Sequence, residues 1–181
     1  MRSEKIKNIA RSGYAWVLGI ITLLGGIATV YGVAHPSGPE YNSNFLGRWE
    51  SKYQYPVPGG TVAFNGITEY FRNGRYNVKG TLKISSDASD KPYSAVLISK
   101  GSGIWMADDQ FLTLTLTGLH TEPASFIIGE QSGYSLPDMN KRYVPGSSDE
   151  YQILSQERQK IVLQGNDPFG NPFKIVSSRP R

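Results

Sequence analysis

The pattern of hydrophobic and polar residues divides the chain into two parts. The 21 residues from Tyr14 to Ala34 contain no charged side chain, and aromatic residues stand at both ends of the run. A helix of this length spans roughly 31 Å, the thickness of the hydrocarbon core of a bilayer. A polar segment rich in Pro, Gly, Ser and Asn follows, and apolar and polar residues then alternate. The pattern predicts a transmembrane helix at 14–34, a linker at 35–44 and a β domain at 45–181.

The alternating part of the chain predicts a series of short antiparallel strands. Alternation is clearest from residue 75 to residue 84, where Tyr76, Val78, Leu82 and Ile84 share one face. The dipeptide Asn73-Gly74 stands before this run and is a strong hairpin signal. Strands are predicted at 45–55, 61–71, 75–84, 93–99, 104–107, 111–119, 151–155, 160–163 and 172–178. Residues 120–148 are predicted to be irregular, with a short strand or helical turn at 126–128.

The order of these strands predicts a barrel. Antiparallel strands joined by short turns form a meander, and closure of the meander removes its exposed edges. We therefore expect an all-β domain, an antiparallel up-and-down barrel of eight or nine strands, preceded by one transmembrane helix. A barrel of about eight strands encloses an interior that side chains fill or that holds one small ligand.

The distribution of charge predicts the orientation of the chain in the membrane. The formal net charge is +4, and the first 12 residues carry +3 of it. Basic residues beside a span are retained in the cytoplasm, so residues 1–13 form a basic cytoplasmic tail. Residues 35–47 contain no Lys or Arg. We expect a single-pass protein of the inner membrane with a periplasmic C-terminal domain. A signal peptide cleaved after Ala34 is the alternative, although the apolar run is longer than is usual for one.

The charge distribution also bears on partners. Because the basic residues are concentrated in the tail, the domain is nearly neutral, which argues against a nucleic acid polymer as a partner. The membrane lipid bilayer is the partner that the apolar run predicts.

Small residues form a stripe along the predicted transmembrane helix. They recur at intervals of four and three residues, which places them on one helical face, and are Ala15, Gly19, Thr22, Gly26 and Thr29. Such a stripe allows two helices to approach closely in lipid. Self-association or docking of a partner helix is one interpretation. The other is that Gly and Thr are simply common in membrane helices.

Residues at the two ends of the predicted β domain resemble conserved features of a known family. Gly47-Arg48-Trp49 opens the first strand in the manner of the G-x-W motif of lipocalins and the wider calycin group. In that group an Arg or Lys at the end of the last strand packs across the Trp, and Arg179 stands at the corresponding place. The domain thus resembles bacterial lipocalin-like domains over most of residues 45–179. The resemblance implies a β-barrel in which Trp49 and Arg179 form a structural closing pair.

The sequence offers no set of residues that indicates catalysis. It has no Cys and only two His, His35 and His120, so neither a thiolate site nor a zinc site is expected. The neighbouring acids Asp108 and Asp109 lie in a predicted turn, where Asp is favoured for local hydrogen bonding. We expect a protein that is not an enzyme and has no cofactor and no metal.

Two groups of residues are candidates for ligand binding. Arg75, Lys79 and Lys83 form a cationic row on one face of the third strand. The row is an anion site if it faces the barrel interior and a solvated surface if it faces outwards. The second group is aromatic and contributes either to a pocket or to the core. Its members with a tentative ligand-binding role are Tyr53, Tyr70, Tyr76 and Trp105.

Two functions of different classes remain open. The first is a membrane-anchored, non-enzymatic barrel that binds a small apolar or amphipathic ligand, or an envelope protein, on the periplasmic face of the inner membrane. The second rests on a resemblance to bacterial antiphage effectors, which join membrane helices to a small β-barrel that senses a cyclic oligonucleotide. Such a barrel would be cytosolic and would drive oligomerisation that disrupts the membrane.

Overall fold

A computed structural model describes residues 42–57, 59–86, 92–128, 131–132 and 145–181. The predicted basic tail at 1–13, the transmembrane helix at 14–34 with its small-residue stripe, and the linker up to residue 41 lie outside the described residues. Within the described ranges, no helix is both long enough and apolar enough to cross a membrane.

The described chain consists almost entirely of β-strands. A short 3₁₀ helix, Ser43–Phe45, comes first and is called η1 here. The strands are β1 Gly47–Val57, β2 Gly60–Tyr70, β3 Arg75–Ser86, β4 Tyr93–Ala107, β5 Phe111–Ile128, β6 Gln131–Ser132, β7 Ser147–Gln156, β8 Lys160–Asn166 and β9 Pro172–Ser178. The tight turn between β2 and β3 contains Gly74 at φ 74°, a left-handed conformation that glycine adopts readily, as the Asn-Gly signal predicts.

The strands close into a barrel of eight strands. Each strand of the barrel pairs antiparallel with the next along the chain, and β9 returns to pair with β1, for example through Lys52 and Val176. The strand β6 is a two-residue addition that pairs with the far end of β5. The prediction of an all-β, antiparallel up-and-down barrel is therefore confirmed. The domain also begins earlier than predicted, since the Asn42 backbone N–H donates to the Ala107 carbonyl.

One strand was predicted as two. Residues 93–107 form a single strand, whereas separate strands were predicted at 93–99 and 104–107. The glycines between these two stretches are needed for packing. A Cβ on Gly103 would lie 2.6 Å from Cε1 of Tyr76 and 2.1 Å from the Thr115 carbonyl oxygen. The absence of a side chain at Gly103 thus allows close contact within β4 and its neighbours.

The prediction that residues 120–125 are irregular was wrong, and at 126–128 the strand alternative is the correct one. They continue β5, which pairs with β4 along the whole length of that strand. Two bulges, with Thr117 and Ala124 as the extra residues, shift the register and interrupt the alternation that marks a strand in the sequence. Pro123 also obscured the pattern, but it has a strand neighbour on one side only among the described strands, where its missing N–H is tolerated.

The barrel interior contains two hydrophobic clusters, one towards each end. The first lies beside η1 and includes Phe45, Trp49 and Trp105. Phe45 closes this end, with its ring 5.8 Å from that of Tyr70 and 6.2 Å from that of Trp105. The second cluster occupies the opposite end and consists of Tyr55, Val57, Val62, Leu82, Ile84, Ala95 and Leu97.

Candidate ligand cavity

A cavity of about 160 Å³ lies inside the barrel and is lined by residues that pack in both clusters. Its apolar wall is formed largely by Leu82, Leu97, Leu114, Leu116, Leu163 and Ile175. An apolar protein cavity of about 150 Å³ accommodates a benzene molecule. The barrel therefore has room for one small organic molecule.

Small polar residues form a band around the middle of the cavity. The hydroxyl groups of Ser51 and Ser177 lie 2.8 Å apart on the adjacent strands β1 and β9 and form a buried hydrogen bond. Thr68, Ser99 and Thr121 add further hydroxyl groups to the lining. These inward positions in a hydrophobic core would normally be apolar, since a buried polar group is costly unless it is hydrogen-bonded. The band gives the cavity polar groups with which to orient a ligand.

Asp149 on β7 is the charged group of this cavity. Among the residues that the structure describes, no hydrogen bond or ion pair to its carboxylate is present. Burial raises the pKa of Asp149 to about 6 from its usual 3.8. The lining, within the described part of the chain, contains no Lys, Arg or His. The cavity thus carries one unbalanced acidic group.

Three tyrosines of the barrel are influenced by the charge of this acid. Burial raises the pKa of both Tyr53 and Tyr151, and the charge of Asp149 adds to each shift. Burial likewise raises the pKa of Tyr55 to about 12, with smaller contributions from the charges of Asp167 and Asp149. The phenol groups therefore stay neutral at physiological pH, and the negative charge of Asp149 makes their ionisation still less favourable.

Two of the cavity aromatics pack over glycines. A Cβ on Gly80 would lie 2.5 Å from Cζ of Phe64, and one on Gly165 would lie 2.9 Å from Cδ1 of Tyr151. The Phe64 ring in turn stacks on Tyr53, with centroids 5.1 Å apart. The missing side chains leave space for the rings against the wall, and the interior remains open.

The predicted aromatic binding residues lie in two different places. Tyr53, Tyr70 and Tyr76 line the cavity. Trp105 is fully buried in the cluster beside η1, where its indole N–H donates to the Phe71 carbonyl at 3.0 Å. It is not among the residues that line the cavity.

The cationic row of Arg75, Lys79 and Lys83 lies apart from the cavity. All three side chains are exposed on the outer face of β3, while Tyr76 and Leu82 of the same strand point inwards. Of the two faces that the sequence left open, the row occupies the outer one. It therefore does not form an anion site within the barrel.

The predicted contact between Trp49 and Arg179 is present. The guanidinium carbon of Arg179 lies 3.9 Å from the centroid of the Trp49 ring, within the range of a cation–π interaction. The same guanidinium donates to the Leu46 carbonyl at 2.7 Å and to the Asn44 carbonyl at 3.2 Å. Arg179 therefore fixes the residues around η1 at the end of the barrel where the described chain begins.

His120 lies on the outer surface. Its Nε2 is 2.9 Å from the Glu122 carboxylate, which also lies 3.6 Å from Lys100. All three side chains are more than half exposed. Among the described residues, no group of three His, Asp or Glu side chains is arranged to hold a metal ion.

Sequence reasoning missed the acid of the cavity. The irregular segment was predicted at 120–148 and the next strand at 151–155, so Asp149 was assigned to neither, whereas β7 begins at Ser147. One signal was available: Asp149 precedes Tyr151 and Ile153 by steps of two and so belongs to their face of the strand. The cavity hydroxyls had no comparable signal, because Ser and Thr also occupy many outward strand positions.

Comparisons with known proteins add no relative. No known protein family matches the sequence, and no curated protein is significantly similar to it. The function of the protein is therefore inferred from the geometry of the barrel.

Proposed function

We propose that this protein is a membrane-anchored, non-enzymatic β-barrel that binds one small apolar or amphipathic molecule in its interior. The observation that carries the proposal is the cavity of about 160 Å³ with leucine-rich walls and a polar band. Pockets for small ligands share this composition, mostly apolar with a few polar groups that fix orientation. A barrel built only for stability would fill this space, because interiors are close-packed and a void forfeits contacts.

The position of the barrel in the cell is part of the same proposal. The uncharged run at residues 14–34 and the basic residues before it support an anchor in the inner membrane with the barrel in the periplasm. The contact between Trp49 and Arg179 supports a lipocalin-like character for the barrel. In such an arrangement the barrel would hold its ligand close to the membrane surface.

The cytosolic effector function has less support from the cavity. A cyclic oligonucleotide is larger than a molecule that fits about 160 Å³, and its phosphates would meet Asp149 rather than a cation. The exposed row of Arg75, Lys79 and Lys83 offers positive charge only on the outside of the barrel.

Filling the cavity tests the proposal. Ser99 faces the interior, so Ser99→Leu places an isobutyl group where the ligand would lie, while Thr81→Leu adds the same group to the outer face. Benzyl alcohol is titrated into the full-length chain in lipid nanodiscs, with empty nanodiscs as the blank. We expect Ser99→Leu to weaken binding by about tenfold or more, because the ligand and the new side chain compete for one volume. Equal binding by wild type and both variants, or no binding by any of them, would contradict the proposal.

A further inference from the structure

Among the described residues, the lining of the proposed ligand site has one acidic side chain and no basic one, and this imbalance indicates the charge of the ligand. Asp149 projects a carboxylate into an otherwise neutral cavity, and no described residue provides a hydrogen bond or a counter-charge to it. A buried acid is ordinarily paired with a base or with several donors. The missing partner is best supplied by the ligand.

The surroundings of Asp149 suit a cation. Four tyrosines line the same cavity as this acid: Tyr53 on β1, Tyr70 on β2, Tyr76 on β3 and Tyr151 on β7. Faces of aromatic rings attract ammonium groups, and the attraction strengthens when the cation is removed from water. An anion would meet the carboxylate, and a neutral molecule would leave it without a charged partner.

From this geometry we infer that the barrel binds a small organic ammonium ion whose nitrogen pairs with Asp149 and whose apolar part packs against the leucines. The inference deepens the proposed function and depends on it. The volume of about 160 Å³ limits the ligand to roughly one six-membered ring with a short aminoalkyl arm, or an aliphatic chain of similar bulk. The polar band formed by Ser51, Ser177 and Ser99 would accept a second, uncharged polar group of the ligand.

The inference implies a dependence of affinity on pH. Because burial raises the pKa of Asp149 to about 6, the acid is largely neutral below that pH and cannot form the ion pair. The other titratable side chains of the lining are the phenols of Tyr53, Tyr70, Tyr76 and Tyr151, and burial raises the pKa of Tyr53, Tyr70 and Tyr151 further above this range. Affinity for an ammonium ion should therefore fall by about tenfold per pH unit below about pH 6 and level off above it.

Three probes of nearly equal size separate the possibilities. Benzylammonium, benzyl alcohol and benzoate are titrated calorimetrically at pH 7.5 into the full-length chain in nanodiscs of neutral lipid. Benzylammonium should bind at least about tenfold more tightly than benzyl alcohol, and benzoate more weakly than either. Empty nanodiscs give the contribution of the lipid alone.

The matched variants are Asp149→Asn and Glu150→Gln. Both remove one negative charge from β7, but Glu150 is exposed on the outer face. Asp149→Asn should abolish the preference for benzylammonium over benzyl alcohol, and Glu150→Gln should keep it. The pH dependence in wild type provides a second reading that does not depend on the folding of a variant.

The outcomes distinguish this inference from the function on which it rests. Equal affinity for the ammonium and the alcohol, a preference for benzoate, or a preference that survives in Asp149→Asn would overturn the inference while leaving a ligand-binding barrel. If none of the three probes binds, the proposed function and the inference fail together.

Discussion

At the scale of single residues, Asp149 combines a cost in stability with a proposed role in binding. Its pKa rises to about 6 because partial burial disfavours the charged form. The folded protein therefore retains a proton up to about pH 6, whereas the unfolded chain releases it near 3.8. Between these values the folded state binds more protons, so the free energy of unfolding falls as the pH rises and levels off above about 6.

The variant Asp149→Asn tests this balance. We expect it to raise the free energy of unfolding at pH 7 by about 1–3 kcal/mol, because the cost of ionising a buried acid disappears. The gain should vanish near pH 4, where the wild-type carboxyl is protonated in the folded state. Thermal midpoints of wild type and variant across pH 4 to 7 provide the measurement.

Glu150→Gln is the control for this comparison. It changes the same charge on the outer face, so its midpoint should follow that of wild type throughout the range. A wild-type protein that gains stability relative to Asp149→Asn as the pH rises from 4 to 6 would contradict the account of Asp149.

At the scale of elements, Gly103 on β4 and Gly118 on β5 lie in the same bulged pair of strands but differ in how much space a side chain would have. A Cβ on Gly103 would lie 2.1 Å from a backbone carbonyl oxygen and 2.6 Å from the Tyr76 ring. One on Gly118 would meet only the Ser102 hydroxyl, at 2.9 Å. The first contact requires a shift of the backbone, whereas a side-chain rotation relieves the second.

This difference predicts unequal effects of the same substitution. Gly103→Ala should lower the free energy of unfolding by about 2 kcal/mol or more, since overpacking strains both the wall and Tyr76. Gly118→Ala should cost less than about 1 kcal/mol. Chemical denaturation of the two variants beside wild type measures the difference. Comparable destabilisation by both would show that the close approach at Gly103 is not what selects glycine there.

The same elements show what the sequence could reveal about the fold. Strands with clean alternation, such as β3 and β9, were placed closely because each has one buried face and a regular register. The far half of β5 was missed because two bulges and Pro123 remove the alternation while the hydrogen-bonded ladder continues. Register shifts depend on the partner strand, which a local pattern does not contain.

The candidate site was predictable only in part, for a related reason. Three tyrosines of the cavity could be named because large aromatic residues on strands usually turn inwards. The sequence could not decide whether the cationic row faces inwards or outwards. The structure shows that the face of β3 carrying Tyr76 points inwards, so the row lies on the outer face. Asp149 and Tyr53, almost a hundred positions apart in the sequence, line the same cavity only because the barrel closes.

At the scale of the whole molecule, the proposed membrane anchor determines the compartment in which the barrel lies. The basic tail predicts that residues after the span are periplasmic. A reporter fused after Arg181 that is active only in the periplasm should therefore give a signal, and one active only in the cytoplasm should not. The reverse result would contradict the proposed location and would favour the cytosolic effector.

The proposed function requires that a ligand enters the barrel. The full-length chain is labelled at leucine and isoleucine methyl groups, placed in nanodiscs and titrated with benzyl alcohol while methyl NMR spectra are recorded. We expect saturable shifts at the cavity methyls of Leu97 and Leu116, and none at the outward-facing Ile104 and Leu154. Shifts confined to the outward-facing methyls, or cavity methyls that stay unchanged to saturation of the probe, would contradict it.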